Sequence, residues 1–168
     1  MKGLSQKNVR LAQLDPLIRQ LLEAGQQVKF SPHGSSMLPM LRDGKDSVTL
    51  IKPQGKLKKY DIPLYQRPQG GYVLHRVVGE DPEGYILCAD HQTALEHGVT
   101  DGQVLGVVCA FTRKGKEYTV TQKSYRLYAR IWVAIRPLRR IVLAGLRRLA
   151  RLYAGREQQH QEKEEGWK

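Results

Sequence analysis

Pro32-His33-Gly34-Ser35-Ser36-Met37-Leu38-Pro39-Met40 stands between two segments, Val28 to Ser31 and Ser47 to Lys52, whose residues favour extended backbone. Gly34 has no Cβ, so the chain can turn there or approach another group closely. Pro39 fixes its own φ and pushes Leu38 towards extended geometry, which puts Ser36 and Met37 at the edge of regular structure. Two adjacent hydroxyls, Ser35 and Ser36, are thereby held in a stiff segment bounded by glycine and proline. Taken alone, the segment reads equally as an ordinary turn, because Gly, Ser and Pro dominate turns.

Working outward, the chain from Val28 to Thr121 reads as a succession of short strands. After the two flanking segments come Asp61 to Gln66, Tyr72 to Val78, Tyr85 to Ala89, Gln103 to Phe111 and Tyr118 to Thr121, all rich in β-formers. Breaks such as Pro53-Gln54-Gly55, Pro68-Gln69-Gly70-Gly71, Asp81-Pro82-Glu83-Gly84 and Arg113-Lys114-Gly115-Lys116 separate them. The expected fold is mainly β over residues 28–122. Residues 1–27 precede it with an amphipathic helix, in which Leu11, Leu14, Leu17 or Ile18, Leu21 and Leu22 recur at helical spacing and Gly25 marks a stop. Asp15-Pro16 offers a later start for a shorter helix.

Helical periodicity returns in residues 123–156. Tyr125, Tyr128, Trp132 and Ile135 share one face. After Pro137, Leu138, Ile141, Val142, Gly145, Leu149 and Leu152 form another, with Arg140, Arg147, Arg148 and Arg151 opposite. Residues 157–168 are polar and charged, which predicts a frayed end. The chain has 168 residues and a net charge of +12, and the charge is uneven: residues 123–156 hold ten Lys/Arg and no Asp or Glu. The basic character therefore belongs to the C-terminal helices and not to the β segment. Two cysteines, Cys88 and Cys109, lie in apolar runs and are expected as buried free thiols, a weak pointer to a reducing compartment. Met1 to Gln27 lacks the apolar core of a secretory signal. The longest charge-free apolar run near the C-terminus, Ile141 to Leu146, is far short of the ~20 residues a membrane span requires.

Ser36-Met37-Leu38-Pro39 is followed by Asp43-Gly44-Lys45-Asp46-Ser47-Val48, Tyr60-Asp61-Ile62, Val73-Leu74-His75-Arg76-Val77-Val78, Ile86-Leu87-Cys88-Ala89-Asp90 and Val104-Leu105-Gly106-Val107-Val108. In that order and at those spacings, the chain from about Val28 to Phe111 resembles the serine peptidases that comprise type I signal peptidases and the self-cleaving domains of SOS-type repressors. His75-Arg76-Val77 is similar to the endoplasmic-reticulum and sporulation branch of signal peptidases, where histidine replaces the usual catalytic lysine. The resemblance implies a coiled β-sheet peptidase domain, flanked here by the N-terminal helix and the basic amphipathic C-terminal helices. About thirty residues precede Ser36, too few for a helix-turn-helix domain, which disfavours the repressor variant.

The chemistry that resemblance implies is nucleophilic. A serine hydroxyl needs a neighbouring base to accept its proton, and histidine suits because its unperturbed pKa is about 6.5. The Ser-Met pairing assigns Ser36 as nucleophile rather than Ser35, and the resemblance at His75-Arg76-Val77 implies His75 as general base. Along the strand Tyr72 to Val78, Val73, His75 and Val77 share a face, with Tyr72, Leu74, Arg76 and Val78 on the other. A third member must fix the imidazole. Asp90 holds the corresponding position, although Ala89-Asp90-His91 departs from the family's Gly-Asp-Asn; Glu96 and Asp101 are alternatives, as is a merely structural Asp90. Gly34 stands where many bacterial signal peptidases place an assisting serine. Gly34, Ser35 and Met37 are therefore the candidates for oxyanion and substrate contacts, through backbone N–H groups near Ser36. His33, His75, His91 and His97 match no standard zinc spacing, so neither metal nor cofactor is expected.

The expected activity is thus endoproteolysis of a leader- or signal-like peptide, with a peptide or protein as partner. The rival is a non-catalytic module that keeps the fold and holds a peptide strand or a membrane. Self-cleavage at Ala24-Gly25 is disfavoured by the short tether to Ser36. For the basic helices three readings stand: packing on the β domain, lying in an anionic membrane surface, or binding nucleic acid. The last is disfavoured for want of a binding motif. The membrane reading makes the chain peripheral, on the cytoplasmic face, through Trp132, Arg139, Arg140, Arg147, Arg148 and Arg151.

Overall fold

The computed structural model describes residues 11 to 138, with Ile141 and Gly145. Helix α1, Leu11–Glu23, leads into β1, Val28–Phe30, and β2, Ser47–Ile51. There follow β3, Pro63–Gln66, β4, Tyr72–Leu74, β5, Arg76–Asp81, β6, Gly84–Cys88, and β7, Leu95–Val99. A 3-10 turn, Asp101–Gln103, precedes β8, Val104–Arg113, and β9, Lys116–Thr119; helix α2, Lys123–Ala134, and a 3-10 turn, Arg136–Leu138, complete the order. The described fold is mainly β, and every strand pair is antiparallel.

The strand β8 sits at the centre for a reason legible in its residues. Val104-Leu105-Gly106-Val107-Val108-Cys109-Ala110-Phe111 is nearly continuous in apolar side chains, the composition of a strand covered on both faces. It pairs with β2 on one side and β3 on the other within a six-stranded sheet ordered β1-β2-β8-β3-β4, and its far end also pairs with β9. Register shifts at Thr49/Leu50 and Leu64/Tyr65 interrupt the β2–β8 and β3–β8 ladders, and such irregularities increase local twist. Helix α1 lies against β8, where a Cβ on Gly106 would come within 2.9 Å of Leu22. Ile18 and Leu22 are its buried residues, worth about 1.5–3 kcal/mol each in burial; Leu17 faces outward. The helix runs through Pro16, so Asp15-Pro16 is not its start.

The strand expected over Tyr72 to Val78 is two strands. Leu74 pairs with Leu64 in the large sheet, whereas Arg76 pairs with Cys88 in a separate three-stranded sheet, β5-β6-β7. His75 is the residue between them. The simple face alternation across this segment therefore fails at His75, where the chain passes from one sheet to the next. The strand β7 was not anticipated, because Leu95-Glu96-His97-Gly98-Val99 has a glycine at φ +68 and two polar residues. The β8–β9 hairpin turns at Lys114-Gly115, both with positive φ, as a two-residue hairpin loop requires.

Helix α2 does not stand apart from the β domain. Tyr125, Ala129 and Trp132 are buried, and the first two belong to the same core as Leu50, Leu64 and Val108. The division expected at residue 122 is therefore crossed by core packing. Cys109 is half-buried and Cys88 buried, both as free thiols. No helix of the described residues is long and apolar enough to cross a membrane.

Candidate active site

Ser36 lies in a run of turns anchored by Met37, Met40 and Leu41, all buried in the core. Backbone bonds Leu38 N–H to Ser35 O (3.1 Å) and Leu41 N–H to Met37 O (2.9 Å) tighten the segment, which contains a cis Leu38–Pro39 bond. Gly34 takes φ +101, a region that L side chains rarely adopt, so glycine is required there. Its N–H donates to Asp43 Oδ1 at 2.9 Å, and His33 Nδ1 lies 3.2 Å from the same oxygen. Among the described residues the N–H groups of Ser35, Ser36 and Met37 donate to no acceptor. They are the amides left available to an oxyanion, whereas that of Gly34 is already engaged.

The two serines differ. Ser35 is exposed; Ser36 is half-buried and lines a largely apolar cavity of about 100 Å³ with Phe30, Met37, Leu41, Leu64, Tyr72, Val73 and Leu74. Its carbonyl accepts the His91 N–H at 2.8 Å, which ties the serine turn to the Asp90-His91 segment. The β4 wall of the cavity ends at Leu74, one residue before His75. Among the described residues no hydrogen bond joins Ser36 directly to His75.

His75 is 3% exposed, and its imidazole is held on one side. Nδ1 is 3.1 Å from Glu96 Oε1 and 3.1 Å from Tyr65 Oη. The Tyr65 hydroxyl proton is already committed, because it donates to Glu96 Oε2 at 2.6 Å. Two acceptors thus face Nδ1, and the network assigns the proton to Nδ1 and leaves Nε2 with its lone pair. Burial pushes the His75 pKa below its ordinary value; Glu96 pulls the other way and Arg67 adds to the lowering. Burial likewise pushes the Tyr65 phenol up, with Glu96 adding to it, so the phenol stays protonated. Glu96 itself is raised by burial but more than compensated by hydrogen bonds from Arg67 and Tyr65, and lies below the usual carboxylate range. Arg67 donates through Nε at 3.0 Å and through Nη2.

Asp90, expected beside His75, is placed differently. Both its oxygens engage Arg76, Oδ1 with Nε at 2.9 Å and Oδ2 with Nη2 at 2.6 Å. Both side chains are 1% exposed. Arg76 also donates to Tyr125 Oη (2.7 Å) and contacts Met40 Sδ (3.1 Å), and the Trp132 indole N–H donates to the Asp90 carbonyl at 3.1 Å. The carboxylate at the imidazole is Glu96, which the sequence offered as an alternative, and Asp101 instead accepts from the Tyr85 hydroxyl. Tyr65 and Arg67 were not anticipated; their two-residue spacing at the end of β3 is their only sequence signal.

Trp132 is buried as part of the core, so it is not a membrane contact, and Arg139, Arg140, Arg147, Arg148 and Arg151 lie outside the described residues. Among the described residues no three His, Cys, Asp or Glu side chains are placed to hold a metal ion. No known protein family, curated protein or solved structure matches the chain.

Proposed function

We propose that the chain is a serine endopeptidase of signal-peptidase-like fold that cleaves a leader- or signal-like peptide segment. In this reading the Ser36 hydroxyl attacks the scissile carbonyl while His75 Nε2 takes its proton. The N–H groups of Ser36 and Met37 receive the oxyanion. The imidazolium then protonates the leaving amine, and water repeats the sequence on the acyl-enzyme. Glu96, rather than Asp90, serves as the orienting carboxylate, with Tyr65 and Arg67 fixing it. The serine–histidine contact closes on substrate binding, as catalytic hydrogen bonds often do. The chain meets membrane-borne substrates peripherally, at a cytoplasmic membrane face.

The observation that carries the reading is the buried imidazole whose Nδ1 faces two acceptors, which leaves Nε2 as a neutral base. The lack of a direct Ser36–His75 bond favours a second reading, a peptide-holding module with the same fold. A serine-directed acylating probe separates the two. Peptide mapping should find the label on Ser36, and His75→Ala should slow labelling by orders of magnitude. Labelling at Ser35 or nowhere, or at an unchanged rate in His75→Ala, would leave the binding module as the better account.

A further inference from the structure

The outer face of α2 is unlike the rest of the described surface. Tyr125, Ala129 and Trp132 point into the core, so the 100° advance per residue sends Leu127 and Ile131 outward, one above the other. Both aliphatic side chains are more than half exposed, Leu127 59% and Ile131 51%. Arg126 and Arg130 are exposed beside them at the same spacing. Leu138 and Ile141, farther along the chain, are also exposed.

The basic side chains do not act alone. Arg126 and Arg130 form one wall of a cleft of about 510 Å³ whose other wall is Lys58, Lys59 and Tyr60. Asp61 also lines the cleft, but its carboxylate accepts the Lys58 backbone N–H at 2.7 Å. The Lys58–Asp61 turn is firmly held. Tyr60 takes φ +83, an unusual value for a residue with a side chain, and its N–H donates to Val77 O at 2.8 Å. Lys59 Nζ sits 5.7 Å from the Tyr60 ring centroid. Four cations thus border a groove next to two exposed aliphatic side chains.

We infer that the α2 outer face and the Lys58/Lys59–Arg126/Arg130 cleft form a docking surface for an anionic lipid bilayer. Leu127 and Ile131 enter the boundary between headgroups and acyl chains, and lipid phosphates occupy the cleft. The charge of this surface selects the occupant: the described residues 123–138 carry Lys123, Arg126, Arg130 and Arg136 and no acid, which complements a surface of fixed negative charge. This inference specifies the surface behind the peripheral association proposed above and does not depend on peptidase activity, since Ser36 and His75 lie outside it.

The test is sedimentation of the full chain with phosphatidylcholine vesicles and with mixed phosphatidylcholine–phosphatidylglycerol vesicles, together with its solution mass by light scattering. Binding should require the anionic lipid and weaken with added salt, and Ser36→Ala should bind as the unchanged chain does. The double variant L127E/I131E alters only exposed positions and should lose about tenfold or more of the partitioning. R126E/R130E should do likewise, because each cationic side chain near the surface contributes several-fold. Full binding by L127E/I131E, or equal binding to neutral vesicles, overturns the inference. So does a dimer that this variant converts to monomer, which assigns the face to a second copy, or vesicle-independent binding to nucleic acid that R126E/R130E abolishes.

Discussion

His75 and Arg76 are neighbours in the chain, each buried and each facing a carboxylate, yet their surroundings differ in kind. Arg76 and Asp90 are closed off on all sides: two hydrogen bonds join them, Tyr125 and Met40 meet the guanidinium, and Trp132 caps the Asp90 carbonyl. Burial opposes the Arg76 charge, but Asp90 outweighs it and raises the pKa further. The guanidinium therefore keeps its charge. His75 is secured only at Nδ1, and its carboxylate partner is 28% exposed beside an Arg67 that is 41% exposed. The difference shows how one turn of chain between two sheets holds both a structural ion pair and a titratable base. A buried charge with all its partners supplied supports the fold. A buried base kept neutral, with one nitrogen uncommitted, can exchange a proton.

The largest expected effect exploits that contrast. His75→Ala should fold and lose about 10⁴–10⁶-fold in the rate of Ser36 acylation or peptide cleavage, the scale seen when one member of a nucleophile–base pair is removed. Asp90→Ala should act in the opposite sense. It strands Arg76 without its counter-charge, which costs about 3–5 kcal/mol of stability in denaturant unfolding. A His75→Ala variant that keeps its rate, or an Asp90→Ala variant as stable as the parent, would erase the distinction between the two sites.

Glu96→Gln comes next, because it keeps the shape but removes the charge that faces Nδ1–H. The rate should fall by about 10²–10⁴-fold, less than for His75→Ala, since a triad carboxylate orients and stabilises rather than reacts. An unchanged rate would place the role back on Asp90. Tyr65→Phe is milder still: it removes one hydrogen bond to a charged carboxylate, worth about 1.5–3 kcal/mol. It should therefore slow the reaction about ten- to hundredfold, and an effect as large as that of Glu96→Gln would mean that Tyr65 itself handles the proton.

Much of this architecture was legible in the residues. The apolar run of β8, the Gly/Pro punctuation and the helical spacing of Ile18 and Leu22 or of Tyr125 and Trp132 each express a local physical preference. The switch of sheets at His75 was not legible, because Tyr72 to Val78 alternates as one strand would and only pairing partners distinguish the halves. Glu96, named as an alternative to Asp90, could not be preferred for a related reason. Its strand is an edge strand with a left-handed glycine at Gly98, so periodicity gave no strand, and without β7 the carboxylate had no defined direction. Asp90 stood in the expected position, but its carboxylate was claimed by Arg76, the residue after the histidine. Sequence order ranks neighbours along the chain, whereas hydrogen bonding selects them across it.

The smallest effect is the pH response, and its direction follows from burial. The unfolded imidazole titrates near 6.5, while desolvation places the folded value below that. The acylation rate should thus be flat above about 6.5 and fall only at lower pH, where His75 finally takes a proton. Stability moves with it. Between the folded value and about 6.5 the unfolded chain binds more protons, so the His75 contribution is present above about 6.5 and is lost as pH falls through the folded value. Each unit of depression corresponds to about 1.4 kcal/mol. Glu96→Gln sharpens this, because Glu96 is the strongest influence raising the His75 pKa against desolvation. Without it the midpoint of the pH–rate profile should shift further down even as the plateau rate drops. A midpoint above 6.5 in the parent chain, or an upward shift in Glu96→Gln, would mean that the titrating base is a group other than the imidazole of His75.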